Sequence, residues 1–292
     1  MISTTGLVKE YAGTAALDGV SLTVPTGSVF GLVGPNGAGK TTLLSILAGL
    51  RSPTSGSVAI DAPPSAIAVL PDAPRFDPWL TGREVVGLAA RLAAPGREGG
   101  GVDRSLGEAG LTEAADRRVG GYSRGMLQRL GIAATVVSDP AVMLLDEPAS
   151  ALDPVGRREV LDLVRRARGK ATVVFSSHIL ADVQEVCDHL AILHEGTLLF
   201  QGEAADLLAG RAEPIYLVRI RSGRPAAAAA LARRPWVTEV VEAGDRDLRI
   251  RVATVEDAER GLVAALAEAG AAVISIQPQA PTLEDVFLEV TS

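Results

Sequence analysis

The run Gly34-Pro35-Asn36-Gly37-Ala38-Gly39-Lys40-Thr41 fits the pattern G-x-x-x-x-G-K-S/T, and its flanks constrain what it can be. Residues 28–33, SVFGLV, are an apolar run with the length of a buried strand, and residues 42–48, TLLSILA, have helical periodicity. The context is strand, loop, helix. Glycines let such a loop curl around a polyphosphate, with successive N–H groups and the helix N-terminus aimed at its oxygens. Lys40 adds a mobile positive charge. A glycine-rich turn with a solvated lysine is the plainer reading, and the strand and helix on either side argue against it. The loop therefore predicts a nucleoside triphosphate site built from Gly34 through Thr42, with the hydroxyl of Thr41 placed for Mg²⁺.

A second apolar run, residues 142–148 (VMLLDEP), ends in two carboxylates where a buried strand would emerge beside the phosphates. Asp146 suits a Mg²⁺ shell, because a hard cation prefers oxygen ligands and keeps several waters. Glu147 can then polarise the attacking water. Taken alone, such a pair could equally cap the strand and start the Pro148 turn; the phosphate loop upstream favours catalysis.

Residues 121–129, GYSRGMLQR, together with these motifs, make the chain resemble the nucleotide-binding subunits of ABC transporters, whose signature segment is usually written L-S-G-G-Q-x-Q-R. Residues 149–153, ASALD, are similar to that family's D-loop. His178 follows the apolar run 172–177 where the family keeps its switch histidine, and Tyr11 stands in the place of the aromatic that stacks on adenine. The resemblance spans residues 1–205. It implies a P-loop NTPase core of ABC ATPase type, an α/β fold with a helical signature subdomain at about 73–138. It also implies a head-to-tail homodimer with two ATP molecules at the interface, Ser123 and Gly125 of one copy serving the phosphates of the other. Asp153 would help couple the two sites, Glu147 and His178 would be catalytic, and Asp72, Thr41 and Asp146 would form the Mg²⁺ set.

The same residues also have readings independent of the family. Ser123 precedes a helical run over 126–137, so it can act as an N-cap and leave free N–H groups facing an anion. Tyr11 stays open between adenine stacking and an interfacial aromatic on an edge strand. His189 and His194 are expected to be surface or core residues, whereas His178 should end a strand parallel to the acid-bearing one. Three positions depart from the family pattern: Tyr122 replaces leucine, Arg124 replaces the first glycine of the signature, and Asp72 holds the place of the Q-loop glutamine. A carboxylate at 72 can join a metal's water shell but cannot donate as an amide does. The connection over 62–66 is short, and 95–101 (PGREGGG) reads as a flexible surface loop.

Composition limits the partners. A chain of 292 residues with 47% apolar content can hold one sizeable core plus a smaller domain. The net charge of -7 argues against a nucleic-acid partner, which would need a clustered basic face. Cys187 is the single cysteine, so no internal disulfide forms, and with three histidines it offers no metal cluster. Residues 1–5 lead directly into a mixed polar strand without a signal-peptide pattern, and no apolar run approaches the ~20 residues that cross a bilayer. The expectation is a protein soluble when isolated, working peripherally on the cytoplasmic face of the cell membrane with an integral permease on a separate chain. The docking surface is expected between 72 and 120, where Pro74, Phe76, Trp79 and Leu80 are either an exposed interface or a local mini-core.

The tail reads as a separate small α/β domain over 206–292. A helix at 203–208 leads to a strand 215–220, a helix 225–232, strands near 236–242 and 247–252, a helix 255–269 and a strand 272–276, in the order βαββαβ. The end predicts an amphipathic helix with Thr282 as N-cap, Asp285 closing a capping box, and Leu283, Val286, Phe287 and Val290 on one face. This ending is similar to ATPase subunits of the drug and antibiotic exporter branch, those paired with six-helix permeases. An importer ATPase and a soluble ABC ATPase acting on ribosomes or DNA are the competing readings. A P-loop kinase or GTPase would leave the signature, D-loop and His178 unexplained.

Overall fold

The first strand, β1 (Ile2–Tyr11), buries Ile2, Thr4 and Leu7 and turns back through Ala12 and Gly13, whose φ values of 48° and 84° suit a tight hairpin matched to strand twist. It pairs antiparallel with β2 (Thr14–Val20) and β3 (Thr23–Val24). Next come β4 (Val29–Val33), α1 (Lys40–Leu47) and β5 (Ser55–Ile60), the last also antiparallel to β1. The computed structural model describes residues 1–93, 101–211, 213–279 and 283, with 208–211 described by backbone alone. The loop expected at 95–101 lies outside the described residues except for Gly101, and the helix expected from Thr282 except for Leu283.

A second sheet carries the chemistry. It takes in β4, β6 (Ile67–Leu70), β7 (Val142–Asp146), β8 (Thr172–Ser177), β9 (His189–His194) and β10 (Thr197–Glu203) in the order β10-β9-β4-β8-β7-β6. All pairs are parallel except the edge pair of β9 with β10. β4, β7 and β8 are buried along their whole length, which is why they read as unbroken apolar runs rather than alternating ones. Parallel strands need long crossovers, and α1, α5 (Pro154–Ala167) and α6 (Leu180–Val186) lie in them.

Between β6 and β7 the chain forms α2 (Gly82–Ala93), α3 (Val102–Glu108) and α4 (Arg124–Val136), which enclose their own apolar cluster around Val86, Leu106, Leu111, Leu130 and Ala133. Phe76 and Leu80 pack against that cluster, whereas Trp79 is 66% exposed, so the aromatic stretch divides between mini-core and surface. Tyr122 joins the cluster and donates its hydroxyl to the Ala114 carbonyl at 2.6 Å. The leucine-to-tyrosine departure thus keeps an apolar contact and adds a satisfied hydrogen bond.

The chain separates into two compact units, Met1–Ala205 and Asp206–Ser292, with the division inside α7 (Ala204–Arg211). α7 starts one residue later than the sequence implied, because Glu203 still pairs with His189. The second unit contains β11 (Ile215–Ile220), α8 (Arg224–Leu231), β12 (Val237–Ala243), β13 (Asp247–Val252), α9 (Val255–Glu268) and β14 (Val273–Gln279). Its sheet, β12-β13-β11-β14, is wholly antiparallel, the split βαβ arrangement. Along β13 Leu248, Ile250 and Val252 alternate into a core completed by Leu231, Leu262 and Leu266. β14 runs past the expected end at 276 and includes Pro278, tolerated because this strand is at the edge.

Candidate active site

The phosphate loop sits between the end of β4 and α1, and its backbone leaves no room for side chains at two glycines. A Cβ at Gly34 would lie 2.3 Å from the Leu193 carbonyl oxygen, and one at Gly39, whose φ is 103°, 2.5 Å from that of Ala16. Gly39 is the N-cap of α1 and has no side chain to satisfy the first N–H groups, which stay available to an anion. A cavity of about 220 Å³ opens there, lined by residues 36–42 together with Ala16, Asp72 and Glu147. Lys40 is buried and donates to the carbonyls of Gly34 (2.6 Å) and Pro35 (3.2 Å); its Nζ lies 3.7 Å from Glu147 Oε1. Thr41 is exposed at the first turn of α1 and Thr42 half-buried behind it.

The two acids come from the end of β7, held against β8 in a register that sets Asp146 beside Ser176. The Ser176 hydroxyl donates to Asp146 Oδ1 at 2.6 Å and accepts the Glu147 N–H at 2.9 Å. Glu147 adopts φ 48°, in the left-handed region that a non-glycine residue enters only at a cost. That turn carries its carboxylate to His178, whose Nδ1 lies 2.8 Å from Oε2. His178 follows β8 and is half-exposed. Asp72, just after β6, is exposed and accepts from the Ser150 hydroxyl at 3.2 Å.

Other residues singled out in the sequence lie away from this cavity. Ser123 is the N-cap of α4, accepting the Met126 N–H at 3.3 Å, and Arg124 is exposed on its first turn. At Gly125 a Cβ would lie 3.6 Å from the Ala151 carbonyl oxygen, so the signature packs beside the D-loop segment. Asp153 caps α5, its Oδ1 accepting the Gly156 N–H at 3.0 Å. Tyr11 ends β1 at the hairpin that leads back to Ala16; its ring centroid lies 5.2 Å from Lys9 Nζ and 5.5 Å from the Arg51 guanidinium.

Several supporting residues are not legible in the sequence. Ser176 joins the two acids through a cross-strand register that no local pattern reveals. Buried Gln128 donates to the Pro148 carbonyl at 3.2 Å, bracing the turn after Glu147. Arg157 on α5 grips the Asp182 carboxylate on α6 (Nη2 to Oδ1, 2.6 Å), tying the D-loop helix to the one after His178. Burial pushes the Asp182 carboxyl up from its ordinary value, against the opposite pull of Arg157. The Cys187 thiol is also pushed up by burial, consistent with a packed rather than reactive cysteine.

The donor set fits Mg²⁺. Among the described residues no cluster of three or more His, Cys, Asp or Glu side chains could cage a metal, so any ion here relies on few protein oxygens. Mg²⁺ is bound in that way, through one or two carboxylates completed by waters and substrate phosphates. Asp146 offers a carboxylate already oriented by a hydrogen bond, while Thr41 and Asp72 line the cavity together with Glu147, the residue after it.

The family model described as ABC transporter matches residues 17–150, and the one described as ATP-binding protein DrrA1-3-like, C-terminal domain, matches 202–291. An uncharacterized ABC transporter ATP-binding protein, YxlF of Bacillus subtilis (strain 168), is 36% identical over 298 residues, covering 99% of both chains. The daunorubicin resistance ATP-binding protein DrrA3 of Streptomyces coeruleorubidus is 36% identical over 306 residues, 99% of this chain and 95% of that one. Among solved structures, the dimeric ATP-binding cassette MJ0796 in a post-hydrolysis state with ADP and Pi has a TM-score of 0.65 at 25% identity, over 70% of this chain and 98% of that one.

Proposed function

The chain belongs to the ABC transporter family of ATP-binding proteins, and on that premise we propose that it is the ATP-hydrolysing subunit of an export complex. In this reading residues 1–205 are the ATPase domain and 206–292 an accessory domain. Two copies pair head to tail around two ATP molecules and drive a separate membrane permease from the cytoplasmic face of the membrane. The observation that carries it is the split in the site. Lys40 and Glu147 line one cavity, with His178 hydrogen-bonded to Glu147, whereas Ser123, the N-cap of α4, and Gly125 do not line it. The phosphates held by a second copy would supply the anion that such a helix N-terminus favours. The export direction is supported by the likeness of 202–291 to the DrrA-type C-terminal domain and by the drug-resistance relative.

The chemistry follows from the residues. Backbone N–H groups of residues 36–42 hold the phosphates of ATP, and Lys40 exchanges its carbonyl partners for phosphate oxygens. Glu147 draws the proton from a water that attacks the γ-phosphorus, the bond to the β-phosphate oxygen breaks, and ADP leaves with phosphate. His178 holds the Glu147 carboxylate in place through Nδ1. Mg²⁺, held by Thr41 and Asp146 with Asp72 in reach of its waters, would neutralise charge developing on the phosphate oxygens. Ser123 and Gly125 of the facing copy would close the site, and Asp153, the N-cap of α5, would help couple the two sites. Tyr11, already flanked by Lys9 and Arg51, presents its ring to adenine.

Among the described residues no helix is long and apolar enough to cross a membrane, and the permease proposed here would be a separate chain. Its docking surface would include the groove of about 450 Å³ beside edge strand β6, lined in part by Val69, Phe76 and Leu92. The test is size exclusion with light scattering. Glu147→Gln should run as a dimer with ATP, revert to monomer with ADP, and lose the dimer when Ser123→Arg is added, since bound nucleotide stabilises the interface by mass action. A Glu147→Gln protein that stays monomeric at saturating ATP would overturn the sandwich arrangement.

A further inference from the structure

We propose that Ser176 is a positioning residue whose single hydroxyl sets both acids of the site, so that divalent-cation binding at Asp146 and water activation at Glu147 depend on one side chain. The inference rests on the assignment of Asp146 to Mg²⁺. It goes beyond that assignment in naming what makes the carboxylate a competent ligand.

Three observations carry it. Ser176 is fully buried on β8, directly beside Asp146 in the parallel ladder, so its hydroxyl is held without competition from solvent. A hydroxyl has one proton, and here it goes to Asp146 Oδ1 at 2.6 Å, the short distance of a hydrogen bond to a charged acceptor. Among the described residues no protein donor meets Asp146 Oδ2. One carboxylate oxygen is therefore occupied and the other left for a cation, which fixes the rotamer a metal ligand needs.

The acceptor side of the same hydroxyl does the second task. It takes the N–H of Glu147 at 2.9 Å, at the residue whose φ of 48° turns the chain out of β7. Such a backbone conformation persists only where its surroundings over-determine it. Without the Ser176 acceptor, the Glu147 N–H loses its partner and the turn can relax, taking the carboxylate away from Lys40 and His178. One oxygen thus links metal ligand to general base. Alanine keeps neither bond, valine fills the volume with neither, and threonine keeps both.

The experiment uses the full chain carrying Glu147→Gln, which retains the backbone N–H but hydrolyses too slowly to deplete ATP. Equilibrium binding of ATP is titrated in EDTA and then as a function of Mg²⁺ concentration. Ser176→Ala and Ser176→Val should bind ATP in EDTA like their parent, yet need about 10- to 100-fold more Mg²⁺ for the metal-dependent gain, the usual loss when a ligand's orienting partner is removed. Ser176→Thr should track the parent. A general folding defect would lower binding in EDTA as well, and that result, or a Mg²⁺ requirement unchanged in Ser176→Ala, overturns the proposal. Should Ser176→Ala not fold, Ser176→Cys keeps a weaker donor in similar volume and should show an intermediate Mg²⁺ requirement; one equal to the parent's overturns the proposal. A parent indifferent to Mg²⁺ overturns the metal assignment at Asp146 and this proposal with it, whereas a responsive parent with an equally responsive Ser176→Ala overturns this proposal alone.

Discussion

Both units of this chain are sheets backed by helices, yet they treat polar groups in opposite ways. Among the described residues every buried polar or charged side chain lies in Met1–Ala205, including Lys40, Gln128, Asp146, Ser176 and Asp182. Among the described residues of the Asp206–Ser292 unit the buried side chains are apolar, and ion pairs such as Arg219 with Asp247 and Arg224 with Glu242 reach solvent. Burying a charge is costly unless it is paired, so a fold that buries several has a use for them. The first unit concentrates its chemistry where β4, β7 and β8 end together. In the second, the described buried residues follow the alternation of the sheet and the periodicity of its helices.

The sharpest way to break this contrast is at Glu147. Replacing this proposed general base with glutamine should lower ATP turnover by about 10²–10⁴-fold while ATP still binds, because the phosphate-holding groups are untouched. Steady-state hydrolysis paired with equilibrium ATP binding checks it; turnover within a few-fold of the parent would move the base elsewhere. In the other unit, Leu248→Ala should destabilise by about 2–5 kcal/mol, the range for emptying a leucine site in a packed core, with ATP affinity unchanged. Differential scanning calorimetry with and without ATP reads this directly. ATP should raise a transition that Leu248→Ala leaves alone. A smaller effect is expected at His178, which loses one hydrogen bond to a charged partner: His178→Ala should cost about 10- to 100-fold in kcat. A loss of ATP affinity without loss of kcat would instead make His178 a binding residue.

How much of this is legible in the sequence differs by region for a physical reason. The phosphate loop and the apolar run ending at Asp146 are local patterns, and their strand, loop and helix context follows from neighbours in sequence. In the tail, alternation along β13 and the helical periodicity of α9 place the elements to within a few residues. What cannot be read are contacts set by register between strands far apart in sequence. Ser176 is an unremarkable serine until β7 and β8 pair, and Arg157 and Asp182 become partners only when α5 and α6 pack. The positive φ of Glu147 is equally hidden, since glutamate gives no sign of a left-handed turn as glycine would. Phe76 and Trp79 illustrate the same limit: three residues apart, they divide between core and surface because of how the helical cluster closes.

The central claim is that each working site is shared between two copies, and mixing two inactive variants tests it most directly. Lys40→Ala removes the phosphate-loop charge and Ser123→Arg blocks the signature, so neither homodimer should hydrolyse ATP. In a mixed dimer one site carries both defects and the other carries neither. Random pairing puts half the dimers in that mixed form with one of two sites intact, so an equimolar mixture should recover about a quarter of the parental ATPase rate if the sites act independently. Were each site complete within a single chain, no molecule in the mixture would hold an intact one, and a mixture as inactive as its components would contradict the account.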